Sequence, residues 1–171
     1  MRLLLIRHGP AGERDPLRWP DDRDRPLTDK GVVRTREALR GMVKLEPQLT
    51  HVLHSPLARA QQSAYVLLEE ADPEHGGEAL ESLIPGGSWR RTLTALESLP
   101  AQSVVALVGH EPDLGKLAGV LLFGAPRALP LKKAGACSID FESKAVAGAG
   151  ELRWFLPPRI LRHFARRRRN A

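Results

Sequence analysis

Short, wholly apolar runs alternate along the chain with longer stretches whose apolar residues recur at helical spacing. Leu3-Leu4-Leu5-Ile6 places four large apolar residues in a row. A strand buried on both faces reads this way, whereas a half-exposed strand alternates. Ser103 to Val108 repeats the pattern, and His51-Val52-Leu53-His54-Ser55 is a shorter version. The intervening stretches predict helices. One runs from about Lys30 to Lys44, with Val33, Leu39 and Val43 among its apolar positions, Thr28 as N-cap and Asp29 in its first turn. A second opens at Ser55-Pro56, with Pro in its first turn, and continues to about Glu70. A third spans Trp89 to Leu99 on Leu93, Leu96 and Leu99, and a fourth spans Asp113 to Leu122 on Leu114, Leu117, Ala118 and Leu121. Three more strands are expected: a short one over Leu80 to Ile84, an alternating one over Ala136 to Phe141, and a last one over Glu151 to Leu156, stopped by Pro157-Pro158. Strands alternating with helices predict an α/β protein with a mainly parallel sheet.

With 171 residues and no internal repeat or dividing linker, one domain over 1–160 is expected, followed by a basic tail over 161–171, where Ile160 to Arg168 form a short helix or tail. No apolar stretch approaches the roughly 18 residues that span a bilayer, and the first apolar run is too short for a signal peptide. A cytoplasmic protein with no membrane partner is therefore expected. The single cysteine, Cys137, rules out a disulfide framework and a cysteine zinc cluster, and reads as a small buried hydrophobe. The net charge is +6, and Arg166-Arg167-Arg168-Arg169 supplies four of the positive charges. Such a run suits nucleic acid or another anionic partner. No helix-turn-helix, zinc or aromatic RNA-binding signature accompanies it, so a solvated terminus is the expectation.

The candidate chemistry lies where apolar runs end. Arg7-His8-Gly9 follows the first strand, at the carboxyl end where open α/β sheets bind ligands. Gly9 lets the backbone turn and a ligand approach. Arg7 would offer a planar cation, and His8 a nucleophile or acid–base group. Gly109-His110-Glu111-Pro112 repeats the same grammar after the Ser103–Val108 strand. Arg59 falls in the first turns of its helix, where backbone N–H groups and a guanidinium would meet a phosphate together. The aperiodic stretch from Pro10 to Pro26, rich in Asp, Arg and Pro, leaves from the His8 end and is expected to fold over the pocket.

The ordered set Arg7-His8-Gly9, Arg25-Pro26-Leu27-Thr28, Ser55-Pro56-Leu57-Ala58-Arg59-Ala60-Gln61 and Gly109-His110-Glu111-Pro112 resembles the histidine phosphatase superfamily, and within it the small phosphohistidine phosphatase branch. The resemblance runs from Arg2 to the Trp154–Pro158 segment. It implies a three-layer α/β/α sandwich of the phosphoglycerate mutase-like kind. It implies that His8 is a nucleophile forming a transient phosphohistidine, that Arg7, Arg59 and His110 complete the phosphate pocket with Arg25 and Gly9, and that neither metal nor cofactor takes part. The chemistry is compatible: fixed cations stabilise the equatorial oxygens of a transferring phosphoryl group. His110 is expected to be protonated once phosphate is bound, since a dianion favours the cation.

The general acid of the larger relatives has no clear counterpart. Ser82 stands where the acid would align, and Glu81 and Asp22 are the candidates, with Asp21 and Asp24 beside the latter. A phosphoramidate leaving group can itself be protonated, so the missing acid favours N–P over O–P substrates. The chain also lacks the inserted lid segments of sugar-phosphate enzymes, so an open pocket that admits a histidine on a partner protein is expected, with the basic balance helping to dock an acidic one. The expected activity is therefore a metal-independent phosphohistidine phosphatase, working as a monomer. The alternatives are a phosphatase for a small phosphorylated metabolite and, of a different class, a non-catalytic module that binds phosphate or nucleic acid.

Overall fold

The computed structural model describes residues 1–46 and 48–166. Six strands, β1 (Arg2–Arg7), β2 (His51–His54), β3 (Gly77–Ala79), β4 (Val104–Gly109), β5 (Ala136–Asp140) and β6 (Glu151–Leu156), form one sheet in the order β3-β2-β4-β1-β5-β6. β3, β2, β4 and β1 run parallel to one another, while β5 is antiparallel to both β1 and β6. The helices are α1 (Asp29–Leu45), α2 (Ala58–Ala71), α3 (Trp89–Glu97), α4 (Asp113–Phe123) and α5 (Pro158–Arg166).

The unbroken apolar run of β1 is explained by its central place. Leu3 and Leu5 point to one face, where they meet Leu107, Leu117 and Leu121 in a core closed by α3 and α4. Leu4 and Ile6 point to the other, where they meet Leu39, Met42, Ala64 and Leu67 in a core closed by α1, α2 and α5. Two cores on two faces make the α/β/α sandwich. Four such side chains, each worth roughly 1.5–3 kcal/mol on burial, make β1 the strand around which the domain condenses.

Several boundaries differ from expectation. The helix expected to open at Ser55-Pro56 begins at Ala58. Ser55 instead prolongs the strand, its N–H donating to the Val108 carbonyl at 2.9 Å, and Pro56 lies ahead of the helix. The strand expected over Leu80–Ile84 is displaced: β3 is Gly77–Ala79, and Glu81–Leu83 is a 3-10 turn whose Leu83 enters the core. Pairing Val52 with Gly77 uses the earlier residues, and periodicity could not see that register. Val33 is exposed, and α1 buries Thr35, Ala38, Leu39 and Met42 instead. β5 does not alternate between core and solvent, because both of its faces are covered: Cys137 and Ile139 lie in one core, Ala136 lies in the other, and the buried Ser138 donates to Glu46 at 3.3 Å. The expected boundary at 160/161 falls inside α5, whose Leu161 is fully buried against α1. The close approach needs Gly41, since a Cβ there would lie 1.8 Å from the Leu161 carbonyl oxygen. Arg167 to Arg169, most of the arginine run, lie outside the described residues.

Candidate active site

β1 and β4 are neighbours, and their register pairs Arg7 with Gly109. The two strands therefore deliver His8 and His110 side by side. The backbone N–H of His8 donates to the Gly109 carbonyl at 3.0 Å, and the two imidazole centroids are 5.0 Å apart. Both rings are buried.

Each ring is held by one nitrogen. His8 Nδ1 lies 2.7 Å from the Gly9 carbonyl, which can only accept, so Nδ1 carries the proton and Nε2 keeps a free lone pair. His110 Nε2 lies 2.9 Å from Ser55 Oγ. Ser55 Oγ also accepts from the Leu57 N–H at 3.3 Å, and with one hydrogen and one further lone pair it can pair with Nε2 in either tautomer of the ring. The other ring nitrogen, Nδ1, is buried with no hydrogen-bond partner, and it is a donor whenever the ring is protonated. Burial, and then the neighbouring His110, push the pKa of His8 down to about 3. Burial, and then Arg59, push that of His110 down to about 3. Both imidazoles are neutral at pH 7 in the free protein.

The turn after His8 is fixed from both sides. A Cβ on Gly9 would sit 1.8 Å from Thr35 Oγ1 of α1, so no other residue fits without displacing the helix. The Gly9 N–H donates to Ser63 Oγ at 3.0 Å, and Ser63 Oγ donates to the Arg59 carbonyl at 2.7 Å. Ser63 thus ties the His8 turn to α2. Sequence reading passed over it; its place four residues after Arg59, on the same face of the helix, was the available signal.

The cations arrive from three directions. Arg7 Nη1 donates to the Leu131 carbonyl at 2.9 Å, and Leu131 is held in turn by its N–H on Glu111 Oε1 at 3.1 Å. Burial raises the Glu111 pKa above the usual carboxylate range. Arg59, second residue of α2 and nearly fully buried, donates from Nη1 to the Asp22 carbonyl at 2.7 Å and from Nη2 to Asp22 Oδ2 at 3.0 Å. Arg25 Nε donates to Asp22 Oδ1 at 2.7 Å, and its Nη1 donates to the Gly12 carbonyl at 2.8 Å. The Pro10–Pro26 stretch therefore does fold back over the site, anchored by an isolated bridge between Ala11 and Leu27 and by a 3-10 turn at Asp22–Asp24.

Among the described residues, the buried side-chain nitrogens and oxygens without a partner are Arg7 Nε, Arg59 Nε and His110 Nδ1. Buried donors are almost always satisfied, and a lone one costs about 1–3 kcal/mol. Arg7 Nε and Arg59 Nε are such donors, and His110 Nδ1 joins them when the ring is protonated; all three belong to residues that flank His8.

The acid candidates are placed differently. Glu81 is largely exposed and lies 3.6 Å from Arg23 Nη2, and Ser82 Oγ is turned to Thr92 Oγ1 at 2.8 Å. The hydrogen bond from Arg25 holds the Asp22 carboxyl below the usual range, so it stays ionised. Cys137 is fully buried, and burial pushes its thiol up to about 12. Among the described residues no group of three or more His, Cys, Asp or Glu is arranged to hold a metal ion, and no helix is long and apolar enough to cross a membrane.

An imidazole with a free lone pair, set among arginines and unpartnered polar atoms, is suited to chemistry on an anionic substrate. Comparison with known proteins agrees. Residues 3–83 match the histidine phosphatase superfamily (branch 1). An uncharacterized protein of Picosynechococcus sp. is 38% identical over 138 residues, covering 79% of this chain and 82% of its own. The phosphohistidine phosphatase SixA of Escherichia coli is 26% identical over 161 residues, covering 92% and 94%. The structure of the protein histidine phosphatase SixA complexed with tungstate superposes with a TM-score of 0.80 at 24% identity, over 94% of this chain and 99% of that one. The chain belongs to the histidine phosphatase superfamily, and it is a phosphatase with the phosphoglycerate mutase-like fold.

Proposed function

We propose that this phosphatase removes phosphate from a phosphohistidine on a partner protein, without a metal ion, through a covalent phosphohistidine on His8. The observation that carries the reading is the orientation of His8: its Nδ1 is committed to the Gly9 carbonyl, and its Nε2 is left unprotonated among unpartnered donors.

The phosphoryl group would enter with its oxygens toward Arg7 Nε, Arg59 Nε and His110 Nδ1, and with Arg25 and the Gly9 turn at its edge. His8 Nε2 attacks phosphorus as the bond to the leaving nitrogen breaks, and the leaving imidazole departs carrying its own proton. Charge on the equatorial oxygens is met by donors already in place, which is the largest contribution such a site can make. A water molecule then attacks the phosphorus of phospho-His8, inorganic phosphate leaves, and the Nε2 lone pair is restored. Because the ring nitrogen not bonded to phosphorus can be protonated before departure, the leaving group departs as a neutral imidazole and the reaction needs no acid from Glu81 or Asp22. The bound dianion favours the protonated form of His110, so the ring gives up its neutrality only when substrate is present.

The experiment is release of phosphate from a histidine-phosphorylated phosphocarrier or phosphotransfer protein in EDTA, comparing wild type with His8→Ala. Release by wild type alone is expected. No release by folded wild type would overturn the substrate assignment in favour of a small phosphorylated metabolite. Release by His8→Ala would overturn the nucleophile.

A further inference from the structure

Asp22 ties two of the cations together. Its Oδ1 accepts from Arg25 Nε at 2.7 Å, and its Oδ2 accepts from Arg59 Nη2 at 3.0 Å and from Arg25 Nη2 at 3.4 Å. Its backbone carbonyl accepts from Arg59 Nη1 at 2.7 Å, and Arg14 Nε stands 3.6 Å from Oδ1. Arg59 is thus fastened at both terminal nitrogens by one residue, and Nε is the nitrogen left buried without a partner. Arg7 follows the same plan: Nη1 is tied to the Leu131 carbonyl, and Nε is left free. His110 follows it too, tied at Nε2 by Ser55 and free at Nδ1.

We propose that Asp22 is a positioning residue of the reaction: it grips the outer edge of Arg59, and with it Arg25, so that Arg59 Nε–H faces the transferring phosphoryl group. The proposal rests on the reading of the pocket given above. Two other roles for this carboxylate fit the geometry less well. As a proton donor it would have to be protonated, yet it accepts from two guanidinium groups and lies beside a third. As a stand-in for substrate it would take the Nε edge of Arg59, and it takes the opposite edge.

The grip also joins the site to the Pro10–Pro26 loop. Asp22 lies in the 3-10 turn of that loop, Asp21 caps the turn by accepting from the Arg23 N–H at 2.8 Å, and Gly12 of the same loop receives Arg25 Nη1 at 2.8 Å. The loop that covers the pocket and the guanidinium that binds in it are one hydrogen-bonded unit.

The test uses the full chain with p-nitrophenyl phosphate, whose leaving group needs no acid, and with tungstate as a non-reacting oxyanion. Asp22→Asn keeps the shape and removes the charge, and a misdirected guanidinium is expected to lower kcat by more than about tenfold. Asp22→Glu should restore part of that loss. In an Arg59→Ala background Asp22→Asn should cost several-fold less than it does in wild type, because only Arg25 is left for it to position. Independently of turnover, the Arg59 Nε–H resonance of wild type should move on tungstate addition, and in Asp22→Asn this movement should be lost. A kcat unchanged in Asp22→Asn, an equal loss with and without Arg59, or the same tungstate response in both proteins would overturn the proposal. Failure of the substrate assignment would show differently, as wild type inactive on phosphohistidine proteins with its tungstate response intact.

Discussion

The two buried imidazoles make stability depend on pH in a way that isolates the site. In the folded protein the pKa values of His8 and His110 lie at about 3, with burial as the first cause for each. In the unfolded chain both return to about 6.5. Between those values the folded rings stay neutral while the unfolded rings take up protons, so acidification pulls the equilibrium toward the unfolded state. The contribution is fully present above about pH 6.5 and is lost as pH falls toward 3. At pH 5 an ordinary imidazole is about 97% protonated, and one with a pKa near 3 is about 1% protonated. The loss between pH 7 and pH 5 is then about 2 kcal/mol for each ring, or about 4 kcal/mol for the pair, against a total stability of about 5–15 kcal/mol for a typical domain. Urea unfolding at pH 7 and pH 5 measures it, with a His8→Gln/His110→Gln double variant as reference. Every other titrating group is common to the two proteins, so the difference in pH response belongs to the pair. Wild type should lose more stability than the double variant on acidification, by up to that amount. Equal losses would show that the folded rings titrate like exposed imidazoles, and the argument that His8 is a permanently neutral nucleophile would go with them.

Other consequences follow from contacts around the site and away from it. Ser63→Ala leaves the buried Gly9 N–H without its acceptor, which should cost about 1–3 kcal/mol in denaturant unfolding and lower kcat as the His8 turn loosens; unchanged turnover would detach Ser63 from the site. Leu161→Ala should cost about 2–5 kcal/mol, since the side chain is fully buried on α1, whereas a dispensable tail would leave the melting temperature unmoved. Cys137 should resist thiol reagents in the native protein at pH 8 and react only on unfolding, because its pKa is pushed up to about 12 by burial; rapid native labelling would contradict its placement.

The sequence carried the site better than it carried the edges of the elements around it. Leu3 to Ile6 and Val104 to Val108 are unbroken apolar runs because β1 and β4 sit mid-sheet with a core on each face, and that is the one strand pattern that periodicity identifies by lacking a period. Each run ends at a polar pair beside glycine, so His8 and His110 could be named before their distance was known. What could not be read was how the residues are held. In the sequence Asp22 reads as an acid in the right loop and a candidate proton donor; only the structure shows its carboxylate between Arg25 and Arg59. Ser55 and Ser63 carry no chemistry as isolated letters, and they matter because parallel pairing and a helical turn bring them to His110 and Gly9. β3 was misplaced because three exposed residues, Gly77 to Ala79, have no apolar pattern; their place is set by pairing with β2, a tertiary preference that outweighs local propensity.

A single electrostatic argument connects these parts. A histidine nucleophile must be unprotonated, and a phosphate pocket must be cationic; in water the two conditions are nearly independent, but in a buried site each enforces the other. Burial is the first cause of both low pKa values, and the cations add to it: Arg59 lowers the pKa of His110, and His110 and Arg59 both lower that of His8, so the charges proposed to attract the phosphoryl group also help keep His8 Nε2 free of a proton. The pocket can be this cationic without driving the arginines apart because Asp22 stands between two of them and backbone carbonyls hold the outer edges of all three. A bound dianion would offset that positive field and favour a proton on His110. Replacing Arg59 by Lys would keep the charge, and with it the neutral His8, but would lose the two-ended grip of Asp22 and the fixed Nε–H. Oxyanion affinity should therefore survive in Arg59→Lys better than kcat does. If kcat and tungstate affinity fell together, Arg59 would be acting as a charge alone, and the directional account of the pocket would be wrong.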